Sequence, residues 1–367
     1  MQLQLGLLHN QLKEGRNKMI KKILTVTLSI FMSVSFTNVL AQKISKMGAD
    51  LTQEEREYLK KMLPGFPEPK DDEFVHIPPT MEDLEASDLN PKLKEVIKRG
   101  RDLFVNTQQL RGKNVFNNLN CSNCHMAEGR RPFAGPVWPA IVTLPDFRGK
   151  NGHVNNFEER IVGCFSYSMN GKSPEYGSDD MVAIAAYHQW LAKGVPMYPG
   201  VKIYGRGFPK MQDPQEKPTI ARGKDKYIKN CSVCHGEDGQ GVVQGDHVVF
   251  PPLWGDNSYN WGAGTVRNFT LATFIRYNMP FGHGGSVSEQ DAWDIAQFVN
   301  SQERPQDPRY TGDVKETQEK FFKTFHKHTQ YANELDGKVL GNHSNTGSKP
   351  FLKPELLRPR TFTPSKE

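Results

Sequence analysis

Apolar and polar positions alternate along this chain in patterns that predict several distinct elements. Ile23 to Phe36 is a predominantly apolar run behind the basic Met19-Ile20-Lys21-Lys22, and Val39-Leu40-Ala41 closes it on a small residue. Basic, apolar and small residues in that order read as a secretory signal peptide within residues 1–41, with Met19 as the true start. The alternative, an uncleaved anchor, needs a longer span than this run supplies. Nothing later in the chain is apolar enough to cross a bilayer, and no Cys follows the run to take a lipid. Helical spacing then recurs. Thr52 and Glu55 form a capping box for a helix to Met62. Asn90-Pro91 opens a helix toward Val105. Ser178-Asp179-Asp180 caps Met181 to Lys193, which Gly194-Val195-Pro196 stops, and Ser288 with Asp291 caps a last helix ending near Ser301. Between these lie a Pro-rich stretch, Pro64 to Pro79, expected to wrap the surface, and a linker from Gly205 to Pro218. From Gln306 onward the chain is polar, Lys-rich and weakly periodic. It reads as a tail over the domains, with His326, His328 and His343 as surface residues.

The helical segments repeat. Arg99-Gly100-Arg101-Asp102-Leu103-Phe104 matches Arg222-Gly223-Lys224-Asp225-Lys226-Tyr227, and Ile184-Ala185-Ala186-Tyr187 matches Ile295-Ala296-Gln297-Phe298. Between each pair stands a Cys-x-x-Cys-His: Cys121-Ser122-Asn123-Cys124-His125, then Cys231-Ser232-Val233-Cys234-His235. This is the attachment pattern of c-type haem. Each thiol adds to one vinyl group of a porphyrin, and the next His supplies one axial nitrogen to iron. A lone match could be half a zinc site or a reduced Cys pair; two in one exported chain point to two covalently bound haem c groups. Each half then reads helix, haem motif, long loop, helix. The expected fold is all-α: two tandem class I cytochrome c-like domains, each with one covalent haem, plus N- and C-terminal extensions. The boundaries are 1–41 signal peptide, 42–89 N-terminal extension, 90–204 first domain, 205–218 linker, 219–305 second domain and 306–367 tail.

Each iron needs a sixth ligand, which a class I cytochrome c takes from the loop before its last helix. In the second half that loop is Arg276-Tyr277-Asn278-Met279-Pro280-Phe281-Gly282, and Met279 is the expected ligand, with His247 and His283 as weaker candidates. Metal ligands are thus His125, His235 and Met279, with one position open. The first half has no Met there. Its equivalent is Cys164, one of five Cys and the one outside both motifs. Cys164 is the expected distal ligand of haem 1, with Met169 and Lys172 as alternatives. A thiolate donor lowers that haem's potential, whereas Met279 raises that of haem 2.

Charge changes the picture little. The chain carries a formal +6, but residues 1–41 hold five Lys/Arg and one Glu, so the exported part carries +2. Nucleic acid is excluded as a partner. Export and covalent haem together place the protein in the periplasm.

At these residues the sequence resembles the thiosulfate dehydrogenase family of periplasmic dihaem cytochromes, which also reduce tetrathionate. The matching stretches are the first haem motif, Pro145-Asp146-Phe147-Arg148, Phe157-Glu158-Glu159-Arg160-Ile161 with Cys164-Phe165, and Ser168-Met169-Asn170-Gly171-Lys172. In the second half they are Phe250-Pro251-Pro252-Leu253-Trp254-Gly255, Gly262-Ala263-Gly264 and Asn278-Met279-Pro280. The resemblance covers about residues 75–310. It implies that Cys164 is both the distal ligand and the atom that forms the sulfur adduct, and that Arg148, Arg160 and Ser168 line the pocket. Some members carry Lys just before the second-haem Met and exchange ligands on reduction; Asn278 stands there in this chain, so Met279 is expected to stay bound.

That chemistry makes the chain an enzyme, a cytochrome-linked oxidoreductase joining two thiosulfates into tetrathionate, and by the same adduct running in reverse. Arg148, Lys150, Arg160 and Lys172 cluster in sequence around Cys164, as dianionic substrates require; the plain alternative is a solvated basic loop. Electrons pass from haem 1 to haem 2 and then to a soluble or membrane-associated cytochrome. The competing class is a pure electron carrier in which Cys164 tunes a potential and no substrate binds. A dihaem peroxidase needs an open iron, and both halves offer a sixth ligand. The first measurable consequence is mass: the exported protein is expected to weigh the processed chain plus two haems, and one haem or none would overturn the attachment.

Overall fold

A computed structural model describes residues 44–322, 329–342 and 344, apart from 198, 199 and 246. The signal peptide and His326, His328 and His343 lie outside the described residues. Among the described residues, no helix is long and apolar enough to cross a membrane.

The capped helices form where the sequence places them. α1 (Gln53–Met62) begins at Thr52, whose side chain accepts from Glu55 N while Glu55 reaches back to Thr52 N. The short α2 (Met81–Ala86) has the same device between Thr80 and Asp83 and was not expected. α3 (Pro91–Val105) starts at Asn90, whose Oδ1 accepts from Lys92 N. α4 (Phe157–Gly163) is capped by Asn156 with Glu159, α5 (Asp179–Leu191) by Ser178 and α6 (Ile220–Asn230) by Thr219. α7 (Asn268–Asn278) ends at Met279, and α8 (Glu289–Asn300) is capped by Ser288, which accepts from Asp291 N. Each such cap contributes about 1 kcal/mol.

The repeated helices pack in the same way in both halves. α3 crosses α5, and α6 crosses α8. Both crossings are made at the repeated glycine. A Cβ on Gly100 would lie 2.0 Å from Ala183 O, and one on Gly223 would lie 1.9 Å from Asp294 O. The repeat is therefore a packing requirement: backbone meets backbone where the first and last helices of each half touch.

The chain is predominantly helical, as expected, but carries short strands that helical periodicity could not register. β1 (Ser45–Met47) pairs antiparallel with β2 (Glu73–His76), and β2 pairs parallel with β5 (Lys202–Ile203). Phe74, Val75 and His76 are buried there, so the Pro-rich stretch enters the structure instead of only wrapping it. β3 (Asp146–Arg148) and β4 (His153–Asn155) form a hairpin, as do β6 (Val242–Gln244) and β7 (His247–Phe250).

The C-terminal segment also departs from expectation. Instead of a polar cover, it contributes Val314, Phe322, Tyr331 and Leu340 to one hydrophobic core with Leu103, Phe157, Ile161, Phe165 and Met181 from the first half and Tyr259, Trp261 and Val266 from the second. Val314 opens α9 (Val314–Phe321). Arg309 and Asp307 are buried in the same region and pair at 2.6 Å. Burial alone would raise the Asp307 carboxyl; the Arg309 charge and hydrogen bonds hold it low. The segment looks polar in sequence because its few apolar residues are widely spaced and its charges pair internally. Removing one member of such a pair costs about 3–5 kcal/mol.

The crossings yield a stability test. Gly100→Ala and Gly223→Ala each force a methyl against a carbonyl, so each is expected to lower stability by about 1–3 kcal/mol, read as a drop in thermal unfolding midpoint. An unchanged midpoint in both would show that the helices do not cross this closely.

Candidate functional site

Both Cys-x-x-Cys-His motifs occupy single helical turns, Cys121–Cys124 and Ser232–His235, with all four thiols free of disulfides. The second turn follows directly on α6, whereas residues 106–120 separate the first from α3. His125 Nδ1 bonds to Gly135 O and His235 Nδ1 to Pro251 O at 2.9 Å. A carbonyl at Nδ1 fixes that nitrogen as the donor and leaves Nε2 to ligate a metal. Burial pushes His125 down to about 4, so the ring is neutral as a ligand must be. Burial also raises Cys121 and Cys231 to about 12.

A cavity of about 340 Å³ opens at the second motif. Cys231, Cys234, His235 and Met279 line it, with Phe250, Leu271, Ile275 and Ile295 among the apolar walls. Thiols, a free imidazole nitrogen and a thioether around one apolar cavity are the donor set of a covalently held haem. Among the described residues, no three His, Cys, Asp or Glu side chains gather into a chelating group. His247 and His283, the weaker ligand candidates, are both exposed. Cys124 and Met126 reach the far wall of the same cavity, which brings the two motifs within one shared apolar space.

Cys164 stands beside the first motif. It lies within electrostatic reach of both Cys121 and Cys124. Arg160, one turn earlier on α4, donates from Nη1 to Cys164 Sγ at 2.8 Å. Arg148, at the end of β3, is half-buried. Burial and then Arg160 push its pKa down, the Cys164 sulfur pulls it up, and Arg206 pushes it down again. Cys164, Arg160, Arg148 and Arg206 thus form one group. Arg206 was missed because it sits in the segment read as linker; position in sequence carries no sign of its neighbours.

The other expected residues are placed differently. Ser168 is half-buried at the end of the turn that begins with Cys164, and its carbonyl accepts from Asn117 Nδ2 at 2.7 Å. Lys172 is exposed, fixed by backbone bonds with Asn114, and the structure does not bring it to the Cys164 group. Met169, an alternative ligand, is buried in the hydrophobic core. Lys150 is turned away to the interface between the halves, where it bonds Gly262 O and lies 3.6 Å from the centroid of the Tyr167 ring. His188, on α5, was not foreseen. It is buried near His125, with Nδ1 bonded to Ile184 O at 2.8 Å and Phe157 packed edge-on at 5.1 Å. Its place in a helix otherwise read as core concealed it.

Fold and site define a cytochrome c-type protein. Residues 100–197 match the SoxA/TsdA cytochrome c domain family, and residues 218–299 match the family of cytochrome C oxidase, cbb3-type, subunit III. The chain is 44% identical over 248 residues to the thiosulfate dehydrogenase of Thiomonas intermedia, covering 68% of this chain and 78% of that one. It is 44% identical over 265 residues to that of Stutzerimonas stutzeri, covering 72% and 84%. Among solved structures, the thiosulfate dehydrogenase (TsdBA) of Marichromatium purpuratum in its as-isolated form superposes with a TM-score of 0.68 at 40% identity, covering 73% of this chain and 57% of that one. The chain belongs to the thiosulfate dehydrogenase family.

Met279 supplies a spectroscopic test of the second site. The ferric holoprotein is expected to show a near-infrared thioether-to-iron band that persists across a reduction–reoxidation cycle and is lost in Met279→Gly. A band that survives that substitution would assign the ligand elsewhere.

Proposed function

We propose that the chain oxidises two thiosulfate ions to tetrathionate at Cys164, in the periplasm, with one haem held by Cys121, Cys124, His125 and Cys164 and a second by Cys231, Cys234, His235 and Met279. The observation that carries this reading is the group around Cys164: one thiol against the first motif, with Arg160 on its sulfur, Arg148 within reach of it and Arg206 near Arg148. As a family member the chain is a thiosulfate dehydrogenase, and its cytochrome c domains imply haem c. Haem groups held at the two motifs would supply one-electron acceptance, which matches the two electrons released per tetrathionate and an external cytochrome as the acceptor.

The protein's own groups account for the sulfur chemistry. The Cys164 thiolate and the outer sulfur of one thiosulfate join in an S–S bond as two electrons leave, which gives a cysteine S-thiosulfonate. A second thiosulfate attacks the sulfur that bears the sulfonate. Tetrathionate departs with that sulfur, and the electron pair of the broken bond returns to Cys164 as thiolate. No proton is exchanged, so no general base is required. What the site must supply is positive charge, because each substrate is a dianion and the attack brings a second dianion to an anionic adduct. Arg160 and Arg148 supply it at the sulfur, with Arg206 at the outer edge and the Ser168 hydroxyl as a neutral partner. Guanidinium suits this role, since its planar donors match sulfonate oxygens in pairs. The reverse reaction uses the same adduct and the same cations.

The test is substitution of the sulfur itself. Cys164→Ser and Cys164→Met are expected to fold and keep their haems, yet lose thiosulfate oxidation and tetrathionate reduction together, by about 10³-fold or more. If Cys164 only tunes a potential, Cys164→Met shifts the rates without abolishing them, and the chain is an electron carrier. Arg160→Gln is expected to raise KM for thiosulfate and lower kcat together.

A further inference from the structure

The turn that carries Cys164 is held from the other half of the molecule. Residues 164–168 form a π-type turn, in which Met169 N donates to Cys164 O five residues back. Such turns are wider than α-helix and leave carbonyls without helical partners, and they gather at functional sites. Every carbonyl of this one has a partner. Cys164 O takes Met169 N at 3.1 Å and Phe165 O takes Gly171 N at 2.9 Å. Ser166 O takes Asn260 Nδ2 at 2.8 Å, Tyr167 O takes Asn260 N at 3.1 Å and Ser168 O takes Asn117 Nδ2 at 2.7 Å. Two of the five partners thus come from one residue in the second half, Asn260.

Asn260 is placed to do this in one orientation. It is 1% exposed. Gly262 N donates to its Oδ1 at 3.0 Å, which fixes the amide so that Nδ2 faces Ser166 O and Asn170 Oδ1. Around it the two halves are in close contact. A Cβ on Gly262 would lie 2.4 Å from the Tyr167 ring, and Lys150 bonds Gly262 O while covering that ring. Arg309, from the C-terminal segment, lies 5.1 Å from the centroid of the same ring.

We infer that Asn260 is a positioning residue for Cys164, its side-chain amide acting through the carbonyl of Ser166 to keep the turn open and the sulfur against Arg160. The inference rests on the role proposed above for Cys164. Its physical basis is that a buried carbonyl does not stay unpaired. Without the Asn260 amide, residues 166–168 relax toward ordinary α-helical pairing, and the register of the turn that starts at Cys164 changes. The reacting sulfur of the first half is thereby set by a side chain of the second.

The test compares holoprotein variants Asn260→Asp and Asn260→Ser with Asn257→Ala, an exposed position on the same loop, and with Cys164→Ser. Asn260→Asp keeps the acceptor for Gly262 N but sets a carboxylate against two oxygens; Asn260→Ser removes the reach and adds no charge. Both are expected to lower kcat about tenfold or more with KM for thiosulfate little changed. Both are also expected to alter the low-spin ferric EPR signal of the thiolate-ligated site, while the near-infrared band of the second site and the Asn257→Ala protein stay as wild type. If one variant does not fold, the other gives the reading. Wild-type kcat and an unaltered EPR signal, with only a lowered unfolding temperature, would reduce Asn260 to an interface contact and overturn the inference. Turnover in Cys164→Ser would instead overturn the reading of Cys164 itself, whatever the Asn260 variants do.

Discussion

The close crossing of first and last helices, made twice at a glycine, is the constraint on which the rest of the structure depends. Backbone contact at Gly100 and Gly223 leaves no room for any side chain between the helices. It fixes the first helix of each half, against which the motif turn packs, and so helps to set where the thiols and histidines stand. The loops between can then vary in length and content without disturbing the crossing. That freedom lets the first half carry a β-hairpin with Arg148 and a helix with Arg160 and Cys164, while the second half carries an apolar cavity and Met279.

The two halves are joined by polar as well as apolar contacts, and the polar ones fall near the chemistry. Asn118 N meets Asn257 O, Asn260 meets the Cys164 turn and Asn278 Nδ2 meets Phe133 O at 3.2 Å. Phe133 lies two residues before Gly135, whose carbonyl holds His125. Apolar contacts could hold the halves together at many angles, whereas amide-to-carbonyl bonds permit few. The Asn260 and Asn278 side chains therefore serve geometry more than stability. The C-terminal segment reinforces the joint by placing Arg309 beside Tyr167 and Tyr331 in the shared core.

The electrostatics of the two motifs differ in kind. At the second, the cavity wall is apolar and Met279 brings a neutral thioether to it. At the first, Arg160 bonds the Cys164 sulfur and Arg148 lies within electrostatic reach of it, a setting that draws anions.

The sequence by itself determined the two motifs, their helices and the odd cysteine. These features are local: a cap needs three residues, a haem motif needs five, and a repeat is visible as similarity. The repeat singled out Cys164 and Met279 by position, and the structure puts one beside the first motif and the other on the cavity wall at the second. Tertiary structure alone decided which cations meet. Lys150 and Lys172 look as near to Cys164 in sequence as Arg148 does, yet one is turned into the interface and the other into solvent, because hairpin direction and loop path set where a side chain ends. Arg206 and Asn260 lie far from Cys164 in the chain; folding brings Arg206 near Arg148 and Asn260 onto the turn that Cys164 begins. The C-terminal segment likewise reads as polar until Asp307 and Arg309 neutralise each other inside the core. Contacts across distance depend on the whole fold, and no local pattern records them.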